Sequence, residues 1–222
     1  MMNKINTTNF FSILFILTLI VTFVSNRFQL GWISATVWAL SMYGLLVYFS
    51  LKKEDKLLQK FILWGTISGF IELSADSWAV RGINALVYYK GGFFIWDSPL
   101  YMPFFWAYML AILAYLSIVL VDKLGMAKSM IIYAFLGVIT GPSIEFLANE
   151  AKWWYYQNTI NIFGTPIYII GGEIILFTFI PFVANKIRKS PNQTVELGFM
   201  YGLFLWYAYA IIYYTFDTGK LF

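Results

Sequence analysis

The chain has 222 residues, of which 60% are hydrophobic, 21% aromatic and only 12% charged. A water-soluble domain carries about 25% charged residues, so half that share cannot cover a water-facing surface, and the solvent around most of this chain is lipid. Histidine and cysteine are both absent, which excludes histidine triads, histidine-ligated zinc or haem, thiolate nucleophiles, disulfides and Fe–S clusters.

What chemistry remains belongs to carboxylates, hydroxyls, aromatic faces or a carboxylate-bound cation, and neither a cofactor nor a resident metal is expected. The net charge of +4 sits in short loops and is no nucleic-acid signal. The partners expected are membrane lipids and a hydrophobic isoprenoid or lipid substrate; the oligomeric state is left open.

Crossing the hydrocarbon core takes about 20 apolar residues. Seven stretches meet that need, at roughly 8–26, 30–51, 61–82, 99–121, 128–149, 165–185 and 195–217. They predict one all-α integral membrane domain over 1–222, a bundle of seven transmembrane helices. The first has the length of a signal peptide, but its only preceding charge is Lys4 and no small-x-small cleavage site follows, so it is read as a helix.

Lysines and arginines number ten on the N-terminal side of the membrane and five on the other. The positive-inside tendency then puts the N-terminus in the cytoplasm. No internal repeat, phosphate loop or Asp-rich diphosphate motif is evident.

The two long loops on the far side, 84–98 and 150–164, are rich in Trp, Tyr and Phe. A single such residue reads as part of an interfacial aromatic belt. Two whole loops on one side read as a lid folded back over a cavity.

Of eleven acidic residues, Glu54, Asp55, Asp122 and Glu196 fall at cytoplasmic ends, where solvation suffices. Glu72, Asp76, Asp97, Glu145, Glu150, Glu173 and Asp217 lie at mid-membrane or toward the outer face. An ionisable group at the bilayer centre costs at least about 2.5–3.5 kcal/mol, so it is kept for a reason.

Glu72 and Asp76 stack on one helical face, one turn apart. Ser68 extends that stripe, and Gly65 and Gly69 admit a close neighbour. Two carboxyls so placed in a low dielectric cannot both ionise cheaply, so the pair keeps a proton, the form needed to protonate an alkene or epoxide. The competing expectation is that Arg81 pairs with Asp76 and only fixes packing. Glu145 follows the helix-perturbing Gly141-Pro142, and Glu173 follows Gly171-Gly172, where backbones can approach.

Several of these stretches resemble the membrane carotenoid-biosynthesis family that includes acyclic carotenoid 1,2-hydratases. The first runs from Gly69 and Glu72 through Tyr88-Tyr89 to Ser98-Pro99-Leu100-Tyr101-Met102-Pro103 and Trp106. The second runs from Glu145 through Trp153-Trp154-Tyr155-Tyr156 and Gly164-Thr165-Pro166 to Gly171-Gly172-Glu173. Heterodimeric lycopene cyclases, a related seven-helix group, are similar in architecture, and so are small fungal meroterpenoid cyclases. The resemblance implies residence in a bacterial inner membrane and a terpenoid substrate.

Acids facing aromatic rings in a dry cavity suit carbocation chemistry, which an acid starts and ring faces stabilise. The residues therefore point to a cofactor-independent isoprenoid cyclase or hydratase. Glu72 with Asp76 is the expected proton donor, and Glu145, Glu173 or Asp217 the terminating base or water activator. Trp78, Tyr89, Trp106, Trp153, Trp154, Tyr209 and Tyr213 are the expected cavity wall. The rivals are a proton- or cation-coupled transporter, a lipid-binding protein and an assembly partner in a larger complex. A retinal receptor is not expected, because no lysine lies in the interior of a span to form a Schiff base.

Overall fold

Seven long α-helices carry the chain in the computed structural model, which describes residues 7–217. They are α1 (Thr7–Phe28), α2 (Gly31–Lys52), α3 (Lys56–Ser77), α4 (Tyr101–Leu124), α5 (Met126–Glu150), α6 (Ile167–Lys189) and α7 (Thr194–Ile212). Each predicted span falls on one of them. Lys4 and Lys220, both part of the charge count, lie outside the described residues.

Six of the helices are long and apolar enough to cross a membrane. The exception is α3, which has the length but is diluted by Gln59, Lys60, Glu72 and Asp76. It is also the helix that its neighbours enclose, with α4 and α7 packed along it and α2 and α6 touching it. A helix with acids in its last two turns can sit there only if protein, not lipid, surrounds them. It begins earlier than hydropathy suggests because Asp55 caps it, accepting the Leu58 N–H at 3.0 Å.

The helices meet through glycines spaced four apart, the pattern that lets backbones approach in a bilayer. Gly65 and Gly69 of α3 press on the backbone of Ala107 and Pro103 in α4. Gly198 and Gly202 of α7 receive Ile67 and Ile71 of α3, and Gly137 and Gly141 of α5 lie against Glu173 of α6. Ser68 adds a polar tie, its hydroxyl lying 2.9 Å from the Trp64 carbonyl and 3.0 Å from that of Gly198. Pro142 does not break α5, which runs on unbroken to Glu150.

The two aromatic loops are not irregular. The first holds β1 (Leu86–Tyr88), β2 (Phe94–Ile95) and β3 (Ser98–Pro99), and the second β4 (Trp154–Tyr156), β5 (Asn161–Ile162) and β6 (Thr165–Pro166). In each, the last two strands form a tight hairpin whose turn opens on a residue of positive φ, Trp96 at 54° and Phe163 at 52°. The first strands then pair antiparallel across the loops, Leu86 with Tyr156, Val87 with Tyr155 and Tyr88 with Trp154.

This corrects the expectation that the chain has no internal repeat. The succession helix, strand, hairpin, Pro, helix occurs twice, as α3 to α4 and as α5 to α6. Ser98-Pro99-Leu100-Tyr101 corresponds to Thr165-Pro166-Ile167-Tyr168, and Gly65 with Gly69 corresponds to Gly137 with Gly141. The β1–β4 register is that of a local two-fold, since the middle residues of the two strands face each other. Between the units only scattered positions coincide, so no run of identity reveals the repeat.

Candidate functional site

The paired strands close one end of the bundle, and beneath them lies a cavity of about 40 Å³ to which five helices contribute. From α3 come Glu72 and Asp76, which are 2% and 6% exposed. They face each other across one helical turn and interact through their carboxyls. Glu145 enters from α5, on the other repeat unit. Three of the seven acids expected on this side thus border one chamber.

Each carboxyl is held differently. Asp76 Oδ2 accepts the Ser98 hydroxyl at 2.6 Å and also the Tyr88 hydroxyl, so both donors come from the closing loop. Burial first, and then the neighbouring Asp76 and Glu72, hold the Tyr88 phenol well above its ordinary range, which keeps it a donor. Glu145 Oε2 accepts the Trp154 indole N–H at 2.5 Å. Glu72 Oε2 and the neighbouring Trp106 indole N–H are buried without reaching full hydrogen-bonding geometry, and the Tyr168 hydroxyl is buried without a partner. All three belong to residues that border the cavity.

Arg81 does not neutralise the pair, contrary to the competing expectation. Its Nε lies 2.5 Å from Asp97 Oδ1, and its side chain is 73% exposed. Asp97 also accepts the Ser77 hydroxyl at 2.7 Å. Two Asp-Ser dipeptides therefore exchange hydroxyl hydrogen bonds, Ser98 to Asp76 inside and Ser77 to Asp97 outside. No lysine or arginine borders the cavity.

Among the expected wall residues, Trp78, Trp106, Trp154 and Tyr209 border the chamber. Three others do not. Trp153 points the other way, stacking on Trp38 with its N–H on the Ser34 hydroxyl at 2.9 Å. Tyr89 lies against Tyr155 and under the Lys152 ammonium. Tyr213 stands behind the wall, edge-on to Trp78 and Tyr168.

Two of the expected acids are also displaced from the chamber. Glu173 is buried one step behind it, accepting the hydroxyl of the cavity residue Tyr209 at 2.9 Å. Asp217 does not line it, though it lies near the cavity residue Tyr168, and it serves the lid by accepting the Ile160 N–H at 2.8 Å.

Tyr88, Tyr156 and Tyr168 complete the wall, and none of them is selected by composition alone. The signal that finds the first two is strand alternation. Successive side chains on a strand point to opposite faces, so inward Tyr88 requires outward Tyr89, and inward Trp154 and Tyr156 require outward Tyr155. Tyr168 is found by the repeat, as the counterpart of Tyr101.

The rings touch in a chain of near-perpendicular contacts. Tyr168 lies 6.0 Å from Trp78 and 6.2 Å from both Tyr156 and Tyr209, with Trp154 set 6.3 Å from Tyr88. An acid pair without a cation, a second carboxylate opposite and π faces between them can donate a proton, hold a positive centre and take a proton back.

Among the described residues, no group of three or more acidic side chains is placed to hold a metal ion. No curated protein and no solved structure matches the chain. Residues 73–216 match the family described as Domain of unknown function (DUF6989). That stretch covers well over half of the chain and takes in Asp76, Glu145 and Glu173, while Glu72 stands immediately before it. The chain belongs to the DUF6989 family.

Proposed function

We propose that this protein is an isoprenoid-modifying enzyme of a bacterial plasma membrane, a cyclase or hydratase that works through a protonated-alkene cation. The observation that carries the reading is the chamber itself: Glu72, Asp76 and Glu145 bordering one aromatic-walled cavity that no cation shares. The resemblance to the carotenoid-biosynthesis family supports the substrate class, and the sequence order of acids and aromatics supports the roles.

In the first step the Glu72 O–H breaks as a C–H bond forms on the less substituted carbon of a trisubstituted double bond. The cation left on the other carbon is held by ring faces and by the charge of Asp76. Two endings balance. A second double bond of the substrate attacks the cation and Glu145 removes a proton, giving an isomer. Alternatively water adds and Glu145 takes its proton, giving a product heavier by one water. In both, Glu145 returns the proton to the acid pair.

The bundle is read as seven spans, with α3 among them, an N-terminus in the cytoplasm and the lid outside. A cavity of about 40 Å³ has room for about three waters, so the closed state admits only the reacting end of a prenyl chain, and the lid must lift for entry.

Mass spectrometry of lipid extracts from cells that make acyclic isoprenoids tests the reading. A new isomer or hydrate with the wild-type protein, absent with Glu72→Gln expressed to the same level, is the expected result. Identical extracts, or full turnover by the variant, overturn it.

A second reading has one observation in its favour. Repeats of parallel orientation also build membrane carriers with central sites, and the α3–α4 and α5–α6 units form such a repeat. A carrier predicts pH-dependent uptake into vesicles with the ligand chemically unchanged.

A further inference from the structure

We infer that the closed cavity is a binding cage for a compact organic cation, a tertiary or quaternary ammonium head of the size of tetramethylammonium. It rests on the same chamber as the proposed reaction, but it concerns what the resting protein binds and not what it transforms.

Charge comes first. Three carboxyls border the chamber without any lysine or arginine, and the nearest arginine is committed to Asp97 at the surface. Glu72 is 2% exposed, and its Oε2 lies near the Trp106 indole without a partner at full hydrogen-bonding geometry. A buried carboxyl oxygen left in that state calls for a positive or hydrogen-bearing ligand beside it.

The wall comes next. Trp78, Trp106, Trp154, Tyr88, Tyr156 and Tyr168 supply rings on several sides. Aromatic faces attract ammonium groups, most strongly when both are removed from water, and such boxes recognise quaternary nitrogen. A calcium or magnesium ion is a poorer fit, since it wants six or more oxygen ligands and most of this wall is carbon.

Size then sets the limit. About 40 Å³ corresponds to about three waters, or about 90 Å³ of liquid, which suits a branched head of five heavy atoms. Two sources share this chemistry: the cationic intermediate of the proposed reaction, which an ammonium imitates, and a physiological ammonium ligand.

The test uses the full-length protein in lipid nanodiscs, with tryptophan fluorescence as the readout. Tetramethylammonium is titrated against tert-butanol, a neutral molecule of similar shape. Saturable binding of the ammonium, at least about tenfold tighter than the alcohol, is expected. Glu145→Gln and Asp76→Asn, each checked for an unchanged unfolding temperature, should each weaken it by about tenfold. Tyr89→Phe, on the outward face, should leave it unchanged.

Equal responses to the two probes in the wild-type protein, a measurement that needs no variant, overturn the cage. So does unaltered binding by both carboxyl variants. When binding is seen, a prenyl tail on the amine that tightens it marks the intermediate as the source, and a hydroxyethyl arm that tightens it instead marks a physiological ammonium. Ammonium binding with unchanged lipid extracts leaves the cage standing and removes the enzyme reading. New isoprenoid products without ammonium binding do the reverse.

Discussion

Gly69 has no room for a side chain, because a Cβ there would run into the Pro103 carbonyl of α4, whereas a Cβ at Gly44 meets nothing. The two positions therefore respond oppositely. Gly69→Val forces α3 and α4 apart one turn from Glu72 and should cost about 1–3 kcal/mol. Gly44→Ala sits in the interior of α2 and should gain about 0.5–1 kcal/mol by restricting the unfolded chain. Unfolding of both variants in detergent, followed by tryptophan emission, checks the pair; equal effects would show that the glycine contacts do not set the helix spacing.

Much of the site is readable at this scale. Glu72 with Asp76 follows from helical spacing, and Gly65 and Gly69 follow as the place where a neighbour comes close. Which of Tyr88 and Tyr89 faces inward does not follow, because it depends on a strand three residues long whose partner lies in another loop. Asp217 is indistinguishable in sequence from a cavity acid, and only its hydrogen bond to Ile160 reveals its work as a loop anchor.

At the level of elements, the lid is fastened by side chains as well as by the β1–β4 pairing. Asp97 lies outside the spans, on the turn before β3. Burial alone would raise its carboxyl, but the Ser77 hydroxyl and the Arg81 guanidinium outweigh that and hold it below its usual range. A carboxyl lowered in the folded state contributes stability above its unfolded value of about 3.9, and the contribution fades as pH falls through the lowered folded value.

Arg81 is largely exposed, so solvent screening makes the contribution to global stability small. The local consequence is larger, because Asp97 is covalently joined to Ser98, one of the two donors to Asp76. As pH falls from about 4 through the lowered Asp97 value, the 84–98 loop should become cleavable by an acid protease in wild-type protein. In Asp97→Asn the loop should be cleavable at the same rate above and throughout that range. Wild-type resistance that persists through the acid range would place the fastening elsewhere.

Hydropathy locates six of the helices by apolar length, whereas α3, expected at 61–82, is diluted by its own polar residues and runs over Lys56–Ser77. The repeat is hidden, because its two copies share a backbone path and few identical residues, and pairing between distant loops leaves no periodic trace in either.

The arrangement of the whole molecule turns on α3. The other helices have the apolar length to cross a membrane, and α3 reaches the same length only with Glu72 and Asp76 on board. If it spans, every later segment keeps the orientation that puts the lid outside and Asn192, between α6 and α7, in the cytoplasm. If it stays on one side, every segment after it inverts, and the acid cavity opens to the cytoplasm instead.

The absence of native cysteine makes the choice measurable with single substitutions at exposed positions. With a membrane-impermeant maleimide on intact cells, Lys90→Cys and Asn158→Cys should be labelled. Lys53→Cys and Asn192→Cys should react only after the membrane is opened. The insertion cost of the two acids, at least about 2.5 kcal/mol each for exposed charges, is offset because α4, α6 and α7 shield them from lipid and the pair can share a proton. Asp76→Leu should therefore leave the labelling pattern unchanged, since it only makes α3 more apolar. A pattern in which Lys53→Cys and Asn158→Cys are both protected and Asn192→Cys is labelled would mean that α3 does not cross, and the acid cavity would then face the cytoplasm.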